Sequence, residues 1–70
     1  IVSIGSTITV QSGENERVLT IVGASEADPA QGKISNESPL GAAFLDRNIG
    51  DEVEVDTPGG KKTYTIKSIS

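Results

Sequence analysis

Alternation of apolar and polar residues predicts a β-hairpin near the start of the chain. In STITVQ (6–11), Ile8 and Val10 share one face and polar residues occupy the other, the period of a half-buried strand. A polar, turn-forming stretch follows at 12–16, and RVLTIV (17–22) is rich in β-branched residues, which favour strands. We therefore expect these two segments to pair as an antiparallel hairpin.

A second hairpin is predicted near the end of the chain. In EVEVD (52–56) the valines face inward and the acidic residues face water, and in KKTYTI (61–66) Tyr64 and Ile66 share a face. Between them, TPGG (57–60) has the composition of a turn. Four charged residues flank this turn and are expected to pair across the strands, Glu54 or Asp56 with Lys61 or Lys62.

The last strand is predicted to contain an irregularity. Ile69 is displaced by one position from the alternation of Tyr64 and Ile66. One extra residue in a strand produces this displacement, so we expect a β-bulge near Lys67 and Ser68.

A short helix is predicted to begin at Ser38. Its side chain can accept a hydrogen bond from a free amide of the first turn, and Pro39 suits the first helical position, where no amide donor is needed. Helical spacing puts Leu40, Ala43 and Phe44 on one face. That face is the only candidate to cover the apolar side of the predicted sheet.

The same pattern predicts how this helix ends. We expect Arg47 in the last turn, where a positive charge favours the helix dipole. Asn48 or Gly50 is expected to supply the left-handed residue that follows the last turn.

The segment between the first hairpin and the helix predicts a loop and a short strand. GASEADPAQG (23–32) has no periodicity, and Pro29 disfavours a helical conformation at Asp28, so we expect a loop of about ten residues. Lys33 to Ser35 is expected to form a short strand. The predicted fold class is therefore α+β, a mostly antiparallel sheet of about five strands covered by one short helix.

Composition limits the classes of function that fit this domain. The net charge is −4, from 10 acidic and 6 basic residues, and the basic residues are scattered along the chain. Nucleic-acid binding needs clustered Lys and Arg, and single-strand binding adds stacking aromatics, so no direct nucleic-acid binding is expected. There are no cysteines, so a cytoplasmic origin is expected, and no apolar run is long enough to enter a membrane. We also expect a monomer. The chain also contains no methionine, and we expect it to be an excised or processed piece.

The order of these elements resembles the C-terminal domain of the bacterial Gre transcript-cleavage factors, GreA and GreB. The resemblance covers most of the chain after residue 20 and is carried by four stretches: IVGASEAD (21–28), GKIS (32–35), ESPLGAAFLDRNIGDEVEV (37–55) and TPGGKKTYTI (57–66). The TPGG turn is typical of GreA members, so GreA is the closer of the two.

This resemblance implies a fold like that of FK506-binding proteins and a docking role. In the family, this domain binds RNA polymerase at the β′ coiled coil, on the rim of the secondary channel. A separate N-terminal coiled coil, absent from these 70 residues, carries an acidic tip that helps the polymerase active site hold Mg²⁺ and cleave backtracked RNA. The resemblance thus predicts a noncatalytic tethering domain with no cofactor.

The expected polymerase-facing residues are Asn36, Glu37, Ser38 and Pro39, which we call the Ser-Pro corner. Exposed amides at a helix N-terminus favour an acidic or carbonyl-rich partner. Asp28, in the preceding loop, is a further expected rim contact. Ser38 and Pro39 are also needed simply to start the helix, and the sequence does not separate the two roles.

Other chemistries are less well supported by the residues. Glu26 and Asp28 offer two carboxylates without the further oxygens that Ca²⁺ needs, so no metal site is expected. The acidic residues at 51–56 lie on a strand face without His, Cys or a pocket, so no acid–base catalysis is expected. Gly59 and Gly60 lack the spacing and following helix of a phosphate-binding loop.

Two alternative functions remain open from the sequence. One is a minimal FKBP-type prolyl isomerase, although Phe44 and Tyr64 are the only aromatic residues and both are assigned to the core. The other is the same domain in a Gre-fold polymerase regulator that is not a cleavage factor.

Overall fold

Five strands and one helix form the framework of the domain in the computed structural model, which describes residues 1–56 and 58–70. Thr57, the first residue of the predicted TPGG turn, lies outside the described residues. The strands are Thr7–Ser12 (β1), Asn15–Val22 (β2), Lys33–Ser35 (β3), Glu52–Thr57 (β4) and Gly60–Ile69 (β5), and the helix is Pro39–Phe44 (α1). The expected loop between β2 and β3 contains two 3-10 turns, Ala24–Glu26 and Pro29–Gln31.

The strands form one sheet in the order β3-β2-β1-β5-β4. Three of the four pairings are antiparallel, and β3 runs parallel to β2, with Ile21 opposite Ile34. The predicted mostly antiparallel five-stranded sheet and the third short strand are therefore confirmed.

The turn of the first hairpin is shorter than the five-residue polar stretch at 12–16 that was predicted to form it. Ser12 pairs with Asn15, so only Gly13 and Glu14 form the turn. Gly13 has a φ of 60°, a left-handed conformation that glycine adopts without the steric cost of a side chain. Polar residues on both sides of this turn consequently belong to the strands.

The predicted bulge in β5 is confirmed. Thr9 pairs with Ser68, but the next residue, Val10, pairs with Ile66, which leaves Lys67 as the extra residue. The extra residue returns Ile69 to a position opposite Ile8, and Ile69 packs against the core.

The core lies between the concave face of the sheet and α1. Phe44 is fully buried, and its ring meets the ring of Tyr64 edge-on, with centroids 5.7 Å apart. Leu40 and Ala43 pack against the same core, as the helical spacing predicts. The helix contacts both terminal strands of the sheet, β3 and β4, so the sheet curls around it. The strand residues of the core cluster are Ile8, Val10, Leu19, Ile21, Ile34, Val53, Val55, Tyr64 and Ile66.

The predicted end of the helix is wrong. The last helical residue is Phe44, so Arg47 lies beyond the last turn. The left-handed residue is Asp46, with φ of 65°, and neither Asn48 nor Gly50 follows the last turn. Although Arg47 lies outside the helix, its Nε donates a hydrogen bond to the carbonyl oxygen of Ala43 at 3.4 Å.

The N-terminal segment accounts for this early end. The amide of Asp46 donates to the carbonyl of Val2 at 2.9 Å, and the amide of Val2 donates to the carbonyl of Arg47 at 2.8 Å. Val2 is itself completely buried in the core. These paired backbone groups hold residues 46 and 47 against the N-terminal segment instead of in a further helical turn.

The predicted charge pairing around the second hairpin is confirmed for one pair. Lys61 Nζ lies 3.3 Å from Glu54 Oε1, on the exposed outer surface of the β4–β5 ladder. In the register of this ladder Lys61 is opposite Asp56, so the ion pair runs diagonally across the strands.

Candidate partner-binding site

The Ser38 hydroxyl group makes two hydrogen bonds that hold the Ser-Pro corner together. Ser38 Oγ accepts a hydrogen bond from the amide of Gly41 at 3.1 Å, which confirms the predicted N-cap. The same oxygen donates to the carbonyl of Ser35 at 2.7 Å, and the amide of Ser38 donates to that carbonyl at 3.1 Å. The cap therefore ties the first turn of α1 to the end of β3.

Two further hydrogen bonds fix the corner to the sheet. The amide of Asn36 donates to the carbonyl of Val22 at 2.8 Å, and the amide of Glu37 donates to Ser35 Oγ at 3.0 Å. Serine hydroxyls often bond the backbone two residues further on in such turns. Ser35 is thus a positioning residue that the predicted site omitted. The signal that could have found it is the serine itself, because its hydroxyl group can bond the amide of Glu37 two residues further on.

The corner presents one carboxylate and one proline ring to solvent. Glu37 and Pro39 are exposed, whereas Asn36 and Ser38 are half-buried. Asn36, Glu37 and Ser38 contribute the hydrogen bonds described above, and the Glu37 carboxylate and the Pro39 ring are left for contact with another molecule. The corner is therefore a small, rigid projection with a mixed apolar and acidic tip.

Gly41 is required by the close approach of α1 to β3. A Cβ atom on this residue would overlap the carbonyl oxygen of Ser35 and would lie 3.2 Å from Ser38 Oγ. Because Ser35 O is a backbone atom, no side-chain rotation relieves that overlap. The absence of a side chain at Gly41 is part of what lets the corner form.

Asp28 lies at the other end of β3. Its amide donates to the carbonyl of Lys33 at 2.9 Å, and the amide of Lys33 donates to the carbonyl of Asp28 at 3.0 Å, an isolated antiparallel bridge. Since β3 spans Lys33–Ser35 and a strand rises about 3.3 Å per residue, Asp28 and the Ser-Pro corner flank opposite ends of a strand about 10 Å long.

The remaining polar candidates do not converge on a chemical site. Over residues 1–56 and 58–70, no three His, Cys, Asp or Glu side chains come together in a way that could hold a metal ion. Glu52, Glu54 and Asp56 are exposed on β4, as expected from the alternation. Within the described chain, no helix has the length and apolar character needed to cross a membrane.

Comparison with known proteins identifies the family of the whole chain. The family model "Transcription elongation factor, GreA/GreB, C-term" matches residues 1–70. The transcription elongation factor GreA of Bacillus licheniformis is 51% identical over 73 residues, which cover 100% of this chain and 46% of the relative.

Solved structures of this family share the fold. GreA factor homolog 1 (Gfh1) of Thermus thermophilus superposes with a TM-score of 0.85 at 30% identity, over 96% of this chain and 46% of that chain. A GreA/GreB elongation factor from Nitrosomonas europaea superposes with a TM-score of 0.85 at 32% identity, over 99% of this chain and 59% of that chain.

These matches confirm the predicted fold class, a curled α+β half-barrel with one short helix. The chain spans less than half the length of the curated relatives it matches. On the match of its whole length to the family model and its identity to the curated factors, this chain belongs to the GreA/GreB C-terminal domain family of transcription elongation factors.

Proposed function

We propose that this domain is a noncatalytic docking module that tethers a GreA-type elongation factor to RNA polymerase in the bacterial cytoplasm. The proposed contact is with the β′ coiled coil at the rim of the secondary channel. The observation that supports it most is the Ser-Pro corner, whose backbone is held by hydrogen bonds while Glu37 and Pro39 remain exposed.

Rigidity of the corner supports a binding role beyond starting a helix. A loop that is already ordered loses little conformational entropy on binding, so more of its contact energy contributes to affinity. The proline ring offers a small apolar contact, and the Glu37 carboxylate can pair with a basic or amide group of the partner. Asn36 and Ser38 hold these two groups in place, and Asp28 forms a second contact at the other end of β3.

In this proposal, the tether increases the local concentration of the factor at the polymerase. Binding at the channel rim raises the local concentration of the remainder of the factor at the channel entrance, which strengthens its action without any new contact. The domain alone therefore binds polymerase modestly, and the chemistry lies outside it.

A matched pair of proline substitutions tests the docking surface. Pro39→Asp replaces the exposed ring with a charged group, while an acidic residue in the first turn of a helix is compatible with the helix dipole, so folding is retained. Pro58→Asp changes an exposed proline in the turn between β4 and β5, at the opposite end of the sheet. We expect Pro39→Asp to weaken binding to core RNA polymerase about tenfold or more and Pro58→Asp to leave it unchanged.

The measurement is a titration of core RNA polymerase, and separately of the isolated β′ coiled coil, with the labelled 70-residue chain. Urea denaturation of both variants separates loss of binding from loss of folding. A folded domain that binds neither target refutes the docking role. Equal losses of binding and stability in Pro39→Asp would assign the corner a structural role only.

A second form of the proposal is a polymerase regulator that uses the same domain but is not a cleavage factor; the fold alone fits it equally well, since the structure of GreA factor homolog 1 also shares it. A transcript-cleavage assay with backtracked polymerase and the full-length parent distinguishes the two forms. Both forms require the docking contact, so the titration tests them together.

A further inference from the structure

The concave face of the sheet extends beyond the reach of the helix. The helix has six residues, about 9 Å at 1.5 Å per residue, whereas β5 has ten residues, about 33 Å at 3.3 Å per residue. The helix packs its Phe44 into the apolar core of this face, where the Phe44 ring contacts the ring of Tyr64. Toward the β1–β2 turn, the concave face is left without a helix above it.

In that open part the inward-facing residues change from apolar to polar. On β1, Ser12 continues the row of Ile8 and Val10, and on β2, Arg17 precedes Leu19 and Ile21 in the same inward row. These polar residues surround a depression of about 250 Å³, which we call the hairpin-end pocket. It is lined by Ser12, Asn15, Glu16, Arg17, Lys62 and Tyr64.

Two cations in this pocket have no acidic partner. Within the described residues, the ion pair of the structure is Lys61 with Glu54, and neither Arg17 nor Lys62 takes part in it. Both lie on inward positions of their strands, Arg17 opposite Val10 and Lys62 opposite Val55. Strand alternation puts Glu16 on the other face of β2, so its carboxylate reaches the pocket only from the rim.

The Tyr64 hydroxyl group is a second, independent feature of the pocket. The residue is only 6% exposed, yet no hydrogen bond joins its hydroxyl to another residue in the described part of the chain. No fully buried polar side-chain atom there lacks a partner, so this hydroxyl retains some exposure to solvent, and Tyr64 is one of the residues that line the pocket. Tyrosine hydroxyls can donate or accept a hydrogen bond, so this accessible group is available to a ligand.

From these features we propose that the hairpin-end pocket binds the oxyanion of a small molecule, a phosphate or carboxylate group. Arg17 offers a planar fork of donors, Lys62 a point charge, and Tyr64, Asn15 and Ser12 neutral donors. Hydrogen bonds between such cations and an oxyanion are shorter and stronger than neutral ones. The pocket thereby forms a local cationic site in a domain of net charge −4.

This site is separate from the proposed docking surface. Arg17 lies five residues before Val22 on β2, a distance of about 17 Å, and Val22 is the residue that holds the Ser-Pro corner through Asn36. The two proposals therefore fail independently.

Titration of the ¹⁵N-labelled chain with inorganic phosphate, and separately with succinate, at constant ionic strength tests this proposal. We expect saturable shifts of the Arg17, Lys62 and Tyr64 amide signals with either probe, and the stronger probe identifies the preferred oxyanion. Arg17→Gln and Lys62→Gln should each weaken binding about tenfold. Tyr64→Phe should weaken it about threefold through loss of one neutral hydrogen bond.

Lys67→Gln is the matched control, because Lys67 is an exposed lysine at the bulge of β5, away from the pocket. Its affinity should equal that of the unchanged chain. Shifts that do not saturate, that spread equally to the amides of Lys33 and Lys67, or that persist in Arg17→Gln and Lys62→Gln would overturn the proposal. Each variant's amide spectrum shows whether it is folded, and within the described residues no side-chain hydrogen bond of Arg17, Lys62 or Tyr64 would be lost.

Discussion

The α-carbon of Gly41 faces the carbonyl oxygen of Ser35 so closely that no side-chain atom fits between them. The contact joins the first turn of α1 to the end of β3, and both partners are backbone groups. Relief of an overlap there requires α1 to move away from the sheet.

Gly41→Ala should therefore destabilise the domain even though alanine is the better helix former. We expect a loss of about 1–3 kcal/mol in the free energy of unfolding, the usual cost of overpacking, measured by urea denaturation. Gly23→Ala is the control, because Gly23 has a φ of −68° and no atom within 4 Å of a Cβ. That change should be neutral or slightly stabilising, and a similar loss in both variants would contradict the role assigned to Gly41.

Removal of the Ser38 hydroxyl group should destabilise the domain, because both hydrogen bonds that the group makes are lost. Ser38→Ala is expected to lower the free energy of unfolding by about 1–2 kcal/mol, since it leaves the Gly41 amide without its cap. Ser38→Thr keeps the oxygen and should retain most of the stability. Thermal denaturation followed by circular dichroism compares the two, and equal losses would show that the hydroxyl group is not the stabilising element.

The two aromatic residues should respond differently to substitution, although their rings are in contact. Phe44→Leu removes a fully buried ring and should cost about 1–3 kcal/mol. Tyr64→Phe keeps the ring and removes a hydroxyl group that has no protein partner in the described chain, so stability should change by less than about 0.5 kcal/mol. Urea denaturation of both variants is the measurement, and a large loss in Tyr64→Phe would show that its hydroxyl group has a partner within the fold.

The ion pair of Lys61 and Glu54 should contribute little. Their side chains are 68% and 60% exposed, and pairs in that setting are worth about 0.2–1 kcal/mol. A double-mutant cycle with Lys61→Gln and Glu54→Gln should give a coupling energy in the lower half of that range, which declines as salt is raised. A coupling that is insensitive to salt would indicate a role other than charge attraction.

Most strands were predictable because their alternation or their β-branched residues give a local signal. Because successive side chains of a strand point to opposite faces, Val53 and Val55 are buried and Glu54 between them is exposed. The displacement of Ile69 from the alternation indicated the bulge at Lys67. The N-cap at Ser38 was equally local, since it depends on a side chain and an amide three residues apart.

The features that were missed depend on contacts between distant parts of the chain. The helix ends at Phe44 because Asp46 and Arg47 pair with Val2, and the helical pattern carries no information about that partner. The tight approach of Gly41 to Ser35 likewise follows from the packing of a helix on a strand. The hairpin-end pocket brings Arg17 and Lys62 together from two different hairpins, so no spacing in the sequence indicates it.

The contact of α1 with both β3 and β4 also bears on how the domain avoids self-association. These are the terminal strands of the sheet, and a terminal strand exposes backbone donors and acceptors that can pair with another chain. Displacement of α1 would uncover the apolar surface of the sheet that lies between these two strands. Sequence changes that loosen α1 would therefore expose apolar surface beside the terminal strands. Because such surface promotes association between chains, we expect these changes to reduce solubility as well as stability.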